Sequence, residues 1–308
     1  MAATTIAPRQ SAAGAAFRML GCIRLGEVLM QQGTPLLGAV FAMGPLTVAG
    51  GQTLAWLAAG NTALMAHVFV LNDWSGEGHD LRDPHRRDGV FTNRGVGRNA
   101  VAFLALGLLV LALLALRQLG DGALSIGVAI AGLSALYSFP GIHMKGIPVL
   151  GTALHLAGGL LHFLLGYAAF ATPDWRGVQI GGFFALVLMA GHLTQETRDI
   201  ESDLANGIRT NAVRFGKRRS FLGGLALFTL ANVWLVGLAL GGMVPRLLAG
   251  VVAVLPLHLY WSRQAVRAGL GFEAVRRLQA RYRVLYVAIG VWMVGTLLVA
   301  GRQVGSFL

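Results

Sequence analysis

The feature that most limits how this chain can fold is a series of apolar runs, each about 20 residues long, separated by short polar breaks. A run of that length crosses the hydrocarbon core of a bilayer as a helix. In lipid only helices and closed barrels satisfy every backbone polar group, and strict period-two alternation is absent, which disfavours a barrel. The mean hydropathy of +0.64 and the 43 glycines agree with this, because small residues let membrane helices approach closely. The expectation is an all-α, polytopic membrane protein embedded in the lipid bilayer.

Nine candidate spans lie near 27–47, 52–73, 100–116, 121–138, 148–170, 177–196, 220–240, 246–262 and 284–301. The third and fourth are short and separated only by "RQLGDG". Placing the N-terminus on the cytoplasmic side puts the basic residues on that side too, leaving only Arg117, Arg176, Arg246 and Arg302 outside. The net charge of +12 is then largely a matter of topology, and nucleic acid is not expected as a partner. Residues 1–18 lack a compact apolar core with a cleavage site, so they are expected to be a flexible cytoplasmic segment rather than a signal peptide. No linker or low-complexity stretch divides the chain, and residues 1–308 are expected to form a single transmembrane domain. Cys22 is alone, which excludes an intrachain disulfide.

The acidic residues are far less evenly spread. Asp73, Glu77, Asp80, Asp83 and Asp88 form one cluster, and Glu196, Asp199, Glu201 and Asp203 form another, both on the inner side. The positive-inside rule says little about carboxylates, so topology does not explain them. "NDWSGEGHDLRDPHR" laid over "QETRDIESDLANGIR" without gaps pairs Asn72 with Gln195, Asp73 with Glu196, Asp80 with Asp203 and Arg86 with Arg209. The chain therefore carries a degenerate internal duplication. If the helices continue, Glu196, Asp199 and Asp203 share one face, as do Asp73, Glu77 and Asp80. Rows of carboxylates repel one another unless a cation sits between them. Mg²⁺ suits such a site, because it uses one or two carboxylates together with waters and substrate phosphates. Arg86, Arg209 and Lys145 would complete a clamp on a diphosphate. Solvated helix ends paired with arginines are the plainer account of either cluster alone. Two matched clusters on one side favour the metal reading.

"NDWSGEGHD" resembles the first aspartate-rich motif, NDxxDxxxD, of the UbiA family of intramembrane prenyltransferases. "DIESD" fits the second motif, DxxxD, followed by the family-like "LANGIRTNAVRFG". "YSFPGIHMKGIP" is similar to the segment that leads into the family's fifth helix. The resemblance implies a bundle of nine helices around a central cavity, an isoprenyl diphosphate as substrate and Mg²⁺ as cofactor. By position it makes Asn72, Asp73, Asp80, Asp199 and Asp203 metal and catalytic residues. Lys145 becomes a diphosphate ligand, and Tyr137, Arg86 and Arg209 join it on the substrate side. It also implies an integral protein of the bacterial inner membrane with its active-site loops in the cytoplasm. The middle Asp of the first motif is Gly76 here; Glu77 or Asp83 is expected to supply the missing oxygen, with Glu196 as a further metal ligand. "RRDGVFTNRG" likewise departs from the RP…SG stretch of many members.

The implied chemistry is ionisation of an allylic diphosphate, with metal and cationic side chains stabilising the leaving group. Attack by an aromatic acceptor would make the protein a prenyltransferase. Attack by the substrate's own double bond would make it a terpene cyclase, an activity that the same superfamily includes. A transporter is the non-enzyme alternative, but transporters place charge near the midplane rather than at one interface. Glu27 and His192 are the acceptor-side candidates. Asn61, His155, His162 and Asn232 read better as helix-to-helix hydrogen bonding, and Phe163, Tyr167 and Phe170 as packing.

Overall fold

The structure, a computed structural model, describes residues 18–142 and 144–305. Apart from Arg18, the expected cytoplasmic segment 1–18 lies outside the described residues. A short helix α1 (Leu25–Met30) leads into α2 (Gly33–Ala42), α3 (Val48–Asp80), α4 (Arg98–Arg117), α5 (Asp121–Ser138) and α6 (Leu150–Ala168). The second half holds α7 (Trp175–Ala205), the single turn α8 (Asn211–Phe215), α9 (Lys217–Leu240), α10 (Leu255–Arg267) and α11 (Phe272–Gly305). No strand occurs among the described residues.

Helices α3, α4, α5, α6, α7, α9 and α11 are each long and apolar enough to cross a membrane. Seven of the nine expected spans form single helices, and the count of nine is not confirmed: the expected spans 27–47 and 246–262 are each interrupted just before a proline. Pro35 has no N–H for the carbonyl of Gln31, so the helix cannot run on from α1 into α2. Asn61 Nδ2 on α3 donates to that freed carbonyl at 3.4 Å and to Gln32 Oε1 at 2.9 Å. His162 Nε2 on α6 closes the network on Asn61 Oδ1 at 2.8 Å. This buried link between helices accords with the structural reading of Asn61 and His162. Near the other break, a 3₁₀ segment (Arg246–Val254) ends where Pro256 opens α10. The weakly separated pair holds as two helices, turned at Gly120, whose φ of +99° is one that an L side chain rarely adopts.

Close backbone contact ties α2 to α6. A Cβ added to Gly166 would run into the Pro35 carbonyl, and one added to Gly38 would run into that of Phe163, so α2 and α6 cross with their backbones touching. One apolar core gathers α1–α6 around Leu57, Leu64, Leu116 and Leu165. Another gathers α2, α6, α7, α9 and α11 around Phe163, Ile180, Phe183, Leu235 and Met293. Helices α3 and α7 both run several residues past their apolar stretch, carrying the acidic motifs on helical backbone to Asp80 and past Asp203. Asp174 caps α7, accepting from Gly177 N–H at 2.7 Å and from Tyr167 Oη at 3.1 Å. These bonds, the Gly177 one foremost, hold its carboxyl below the usual carboxylate range.

Candidate functional site

The continued helices place Asp73, Gly76 and Asp80 along one side of the end of α3, and Glu196, Asp199 and Asp203 along one side of the end of α7. The two ends meet, with Asn206 Nδ2 reaching the carbonyl of His79 at 3.5 Å. Arg86, from the loop after α3, lies between the clusters. Its guanidinium is 2.5 Å from Asp199, 3.4 Å from Asp80 and 3.5 Å from Asp83. Burial opposes its charge, but Asp199, Asp80, Asp83 and Asp203 together outweigh that and hold its pKa above the ordinary value. Asp199 is gripped from its other side by Arg198, whose Nε and Nη2 donate at 2.6 and 2.8 Å.

The remaining first-motif residues divide. Asn72 Oδ1 accepts from Ser138 Oγ at 3.4 Å, at the end of α5. Asp73 pairs with Arg24 at 3.2 Å, and Arg24 also lies 3.9 Å from Glu27, which brings that acceptor-side candidate beside the first motif. Glu77 turns away to an ion pair with Arg98 at the start of α4. Asp83 stays with the central group: it is buried, accepts from the His85 N–H at 2.8 Å and faces Arg86. Of the two residues expected to make good the loss at Gly76, Asp83 is the one the fold brings to Arg86 and Asp80.

In the second motif, Glu196 is committed to the scaffold. It is 5% exposed and accepts from the Asn211 backbone N–H and from Asn211 Nδ2, each at 3.0 Å to Oε2. Asn211 also donates to Thr152 Oγ1 at 2.8 Å and accepts from the Val149 N–H at 2.8 Å. Val149 has φ +68°, a costly conformation for a β-branched residue, so Asn211 supports a strained start to α6. Asp203 accepts from Thr210 Oγ1 at 3.1 Å. Lys145 lies in a 3₁₀ turn, half-buried, and is an electrostatic neighbour of Asp199 and Asp203. Arg209 is exposed and lies outside the ion pairs of the cluster.

Beneath the carboxylates lies a layer of rings. His155 on α6 stacks on His192 on α7 with centroids 3.7 Å apart and planes 12° from parallel. Tyr137 on α5 stands edge-on to both, at 5.0 and 6.2 Å. His192 Nε2 comes within 3.0 Å of Glu196 Oε1, although the angle is not that of a hydrogen bond. Sequence reasoning missed Arg24, Arg198 and Asn211 as parts of this site. The two arginines read as topological charge, and only their spacing from a carboxylate marked them: Arg198 is the neighbour of Asp199.

Among the described residues no three His, Cys, Asp or Glu side chains converge as a ready-made metal cage. The donor set instead offers hard carboxylate oxygens in ones and twos beside Arg86, Arg198 and Lys145. That fits Mg²⁺, which completes its shell with water and substrate phosphate. Asp80, Asp83, Asp199 and Asp203 are the residues that would hold it.

The sequence profile of the UbiA prenyltransferase family matches residues 33–270. A digeranylgeranylglyceryl phosphate synthase of Natronomonas pharaonis is 28% identical over 203 residues, which cover 64% of this chain and 69% of that protein. A UbiA homologue from Archaeoglobus fulgidus, solved with GPP and Mg²⁺, superposes with a TM-score of 0.69 at 14% identity, covering 90% of this chain and 99% of its own. A UbiA homologue from Aeropyrum pernix K1, in its apo form, superposes with a TM-score of 0.69 at 14% identity, covering 91% and 99%.

Proposed function

The chain belongs to the UbiA prenyltransferase family and is an intramembrane prenyltransferase, and on that premise we propose that it moves an isoprenyl group from an isoprenyl diphosphate to a small aromatic acceptor. The observation that carries the site assignment is the single guanidinium of Arg86, set between the carboxylates of two helix ends. Such a junction of alternating charge accepts a diphosphate with its cation at little cost in rearrangement. Solved UbiA homologues that bind GPP or DMAPP together with Mg²⁺ support the choice of donor and cofactor.

In this reading Asp80, Asp83, Asp199 and Asp203 hold Mg²⁺, which when bound offsets the charge that develops on the leaving diphosphate. Arg86, from its place between Asp80, Asp83 and Asp199, and Lys145 would bind the diphosphate oxygens. Asp73 and Asn72 fix the end of α3 through Arg24 and Ser138. The Tyr137, His155 and His192 rings form a polarisable floor on which an allylic cation is tolerated and a flat acceptor can stack. Glu27 and His192 are then the acceptor-side groups. The chain is read as one domain in the bacterial inner membrane, with the acidic ends facing the cytoplasm.

The test is incubation of the purified protein with labelled geranylgeranyl diphosphate, Mg²⁺ and a panel of aromatic acceptors. Label recovered in an acceptor supports the proposal. Label transferred only to a glyceryl phosphate, the type of compound named in the Natronomonas pharaonis relative, would replace the acceptor. A hydrocarbon formed without any acceptor would favour cyclisation.

A further inference from the structure

The first three turns of α11 carry arginines on the same face that further along the helix is bare valine. Arg276, Ala280 and Arg283 share this face with Val284, Val287 and Val291, by the 3.6-residue period. The three valines are 72%, 60% and 68% exposed, in a helix apolar enough to cross the membrane. Above them Arg198, Arg276, Arg277, Gln279, Ala280 and Arg283 line an open cleft of about 420 Å³. Glu273 pairs with Arg276 at 3.1 Å, and Arg198 is held by Asp199, leaving Arg277 and Arg283 without a carboxylate partner among the described residues. Arg198 also donates to Gln279 Oε1 at 2.8 Å, so the cleft is tied through one side chain to the second motif.

We propose that this cleft binds the phosphate of an anionic phospholipid, whose acyl chains lie along the Val284–Val287–Val291 stripe. A phosphate suits convergent guanidinium groups, which offer it bidentate hydrogen bonds. The stripe makes the occupant an amphiphile rather than a free anion. From Arg283 to Val291 the helix rises about 12 Å, most of the roughly 15 Å of one leaflet's hydrocarbon. The occupant contacts Gln279 and Arg198, so it bears on how Arg198 holds Asp199. The proposal is independent of which acceptor is prenylated.

The test measures lipid retained by the full-length protein after extraction from vesicles of phosphatidylcholine containing one-fifth phosphatidylglycerol, read by native mass spectrometry. The wild type is expected to retain phosphatidylglycerol in preference. Each arginine at an anionic headgroup contributes about fivefold, so Arg277→Gln with Arg283→Gln should lower the preference by about 25-fold. Arg263→Gln with Arg267→Gln, likewise exposed arginines of α10 but outside the cleft, should change it far less. Equal losses in the two pairs would mean a diffuse positive field and would overturn the site. So would no preference in the wild type, or saturable binding of inorganic phosphate without a preference for phosphatidylglycerol.

Discussion

Replacing Gly76 by Asp should restore a metal ligand that the first motif lacks, and the structure says how much room and charge are available. A Cβ at Gly76 would meet only Asp80 Oδ2, at 3.6 Å, which is ordinary contact. Within a helix the change from Gly to Asp gains a few tenths of a kcal/mol in propensity. Like charges at Asp73 and Asp80, three and four residues away, cost about 0.2–0.5 kcal/mol each. Without metal the variant should therefore melt within about 1 kcal/mol of the wild type, on the unstable side. With Mg²⁺ the sign reverses, because affinity follows the ligand charge count. One added carboxylate should lower the half-saturating Mg²⁺ concentration about tenfold, equivalent to about 1.4 kcal/mol. The assay is turnover of labelled isoprenyl diphosphate across a Mg²⁺ titration, with melting curves in EDTA and in Mg²⁺. If Asp83 makes up for Gly76, Asp83→Asn should raise the half-saturating Mg²⁺ concentration in the wild type and much less beside Gly76→Asp. Glu77→Gln should leave it unchanged, since Arg98 holds that carboxylate elsewhere. An unmoved Mg²⁺ titration in Gly76→Asp, or an effect of Glu77→Gln as large as that of Asp83→Asn, would refute the reasoning.

Other positions give independent checks. Arg86→Gln removes charge-assisted bonds of about 1.5–3 kcal/mol, so KM for the diphosphate donor should rise about 10- to 100-fold. Asn211→Ala strips donors from buried Glu196 and orphans the Val149 N–H. It should destabilise the fold by about 1–3 kcal/mol in denaturant unfolding, the cost of one under-satisfied buried group. Gly166→Ala forces α2 away from α6, and a lower melting temperature should appear with KM unchanged. Burial pushes the Cys22 thiol above its ordinary value, so little thiolate is present at pH 8. Alkylation should be slow there and accelerate only as pH passes the raised value.

The membrane class, the split of the weak third and fourth spans and both acidic clusters were legible because they rest on local patterns: run length, turn glycines and the spacing of carboxylates. The broken spans were less so, although each break has its proline, since hydropathy averages over a Pro35 or a Pro256. The helical extensions to Asp80 and past Asp203 were legible only conditionally, as polar residues look like a loop until a neighbouring helix supplies partners. What the sequence did not separate was which carboxylate faces which cation. Asp73, Glu77 and Asp80 share a helix, yet they pair with Arg24, Arg98 and Arg86 from three different segments. Glu196 has the spacing of a metal ligand, but Asn211, fifteen residues on, claims it as a scaffold bond. Such choices depend on tertiary approach, which residue spacing along one helix does not encode.

The account turns on the carboxylates of the two helix ends acting as one Mg²⁺–diphosphate site. Diphosphate release from labelled geranylgeranyl diphosphate, compared between the wild type and Asp199→Asn with Asp203→Asn, tests that most directly, with melting curves to show that both are folded. The account predicts Mg²⁺-dependent release in the wild type and a loss of at least about 100-fold in the double variant, several kcal/mol of leaving-group stabilisation. Release that persists in the folded double variant with the same Mg²⁺ dependence would contradict it.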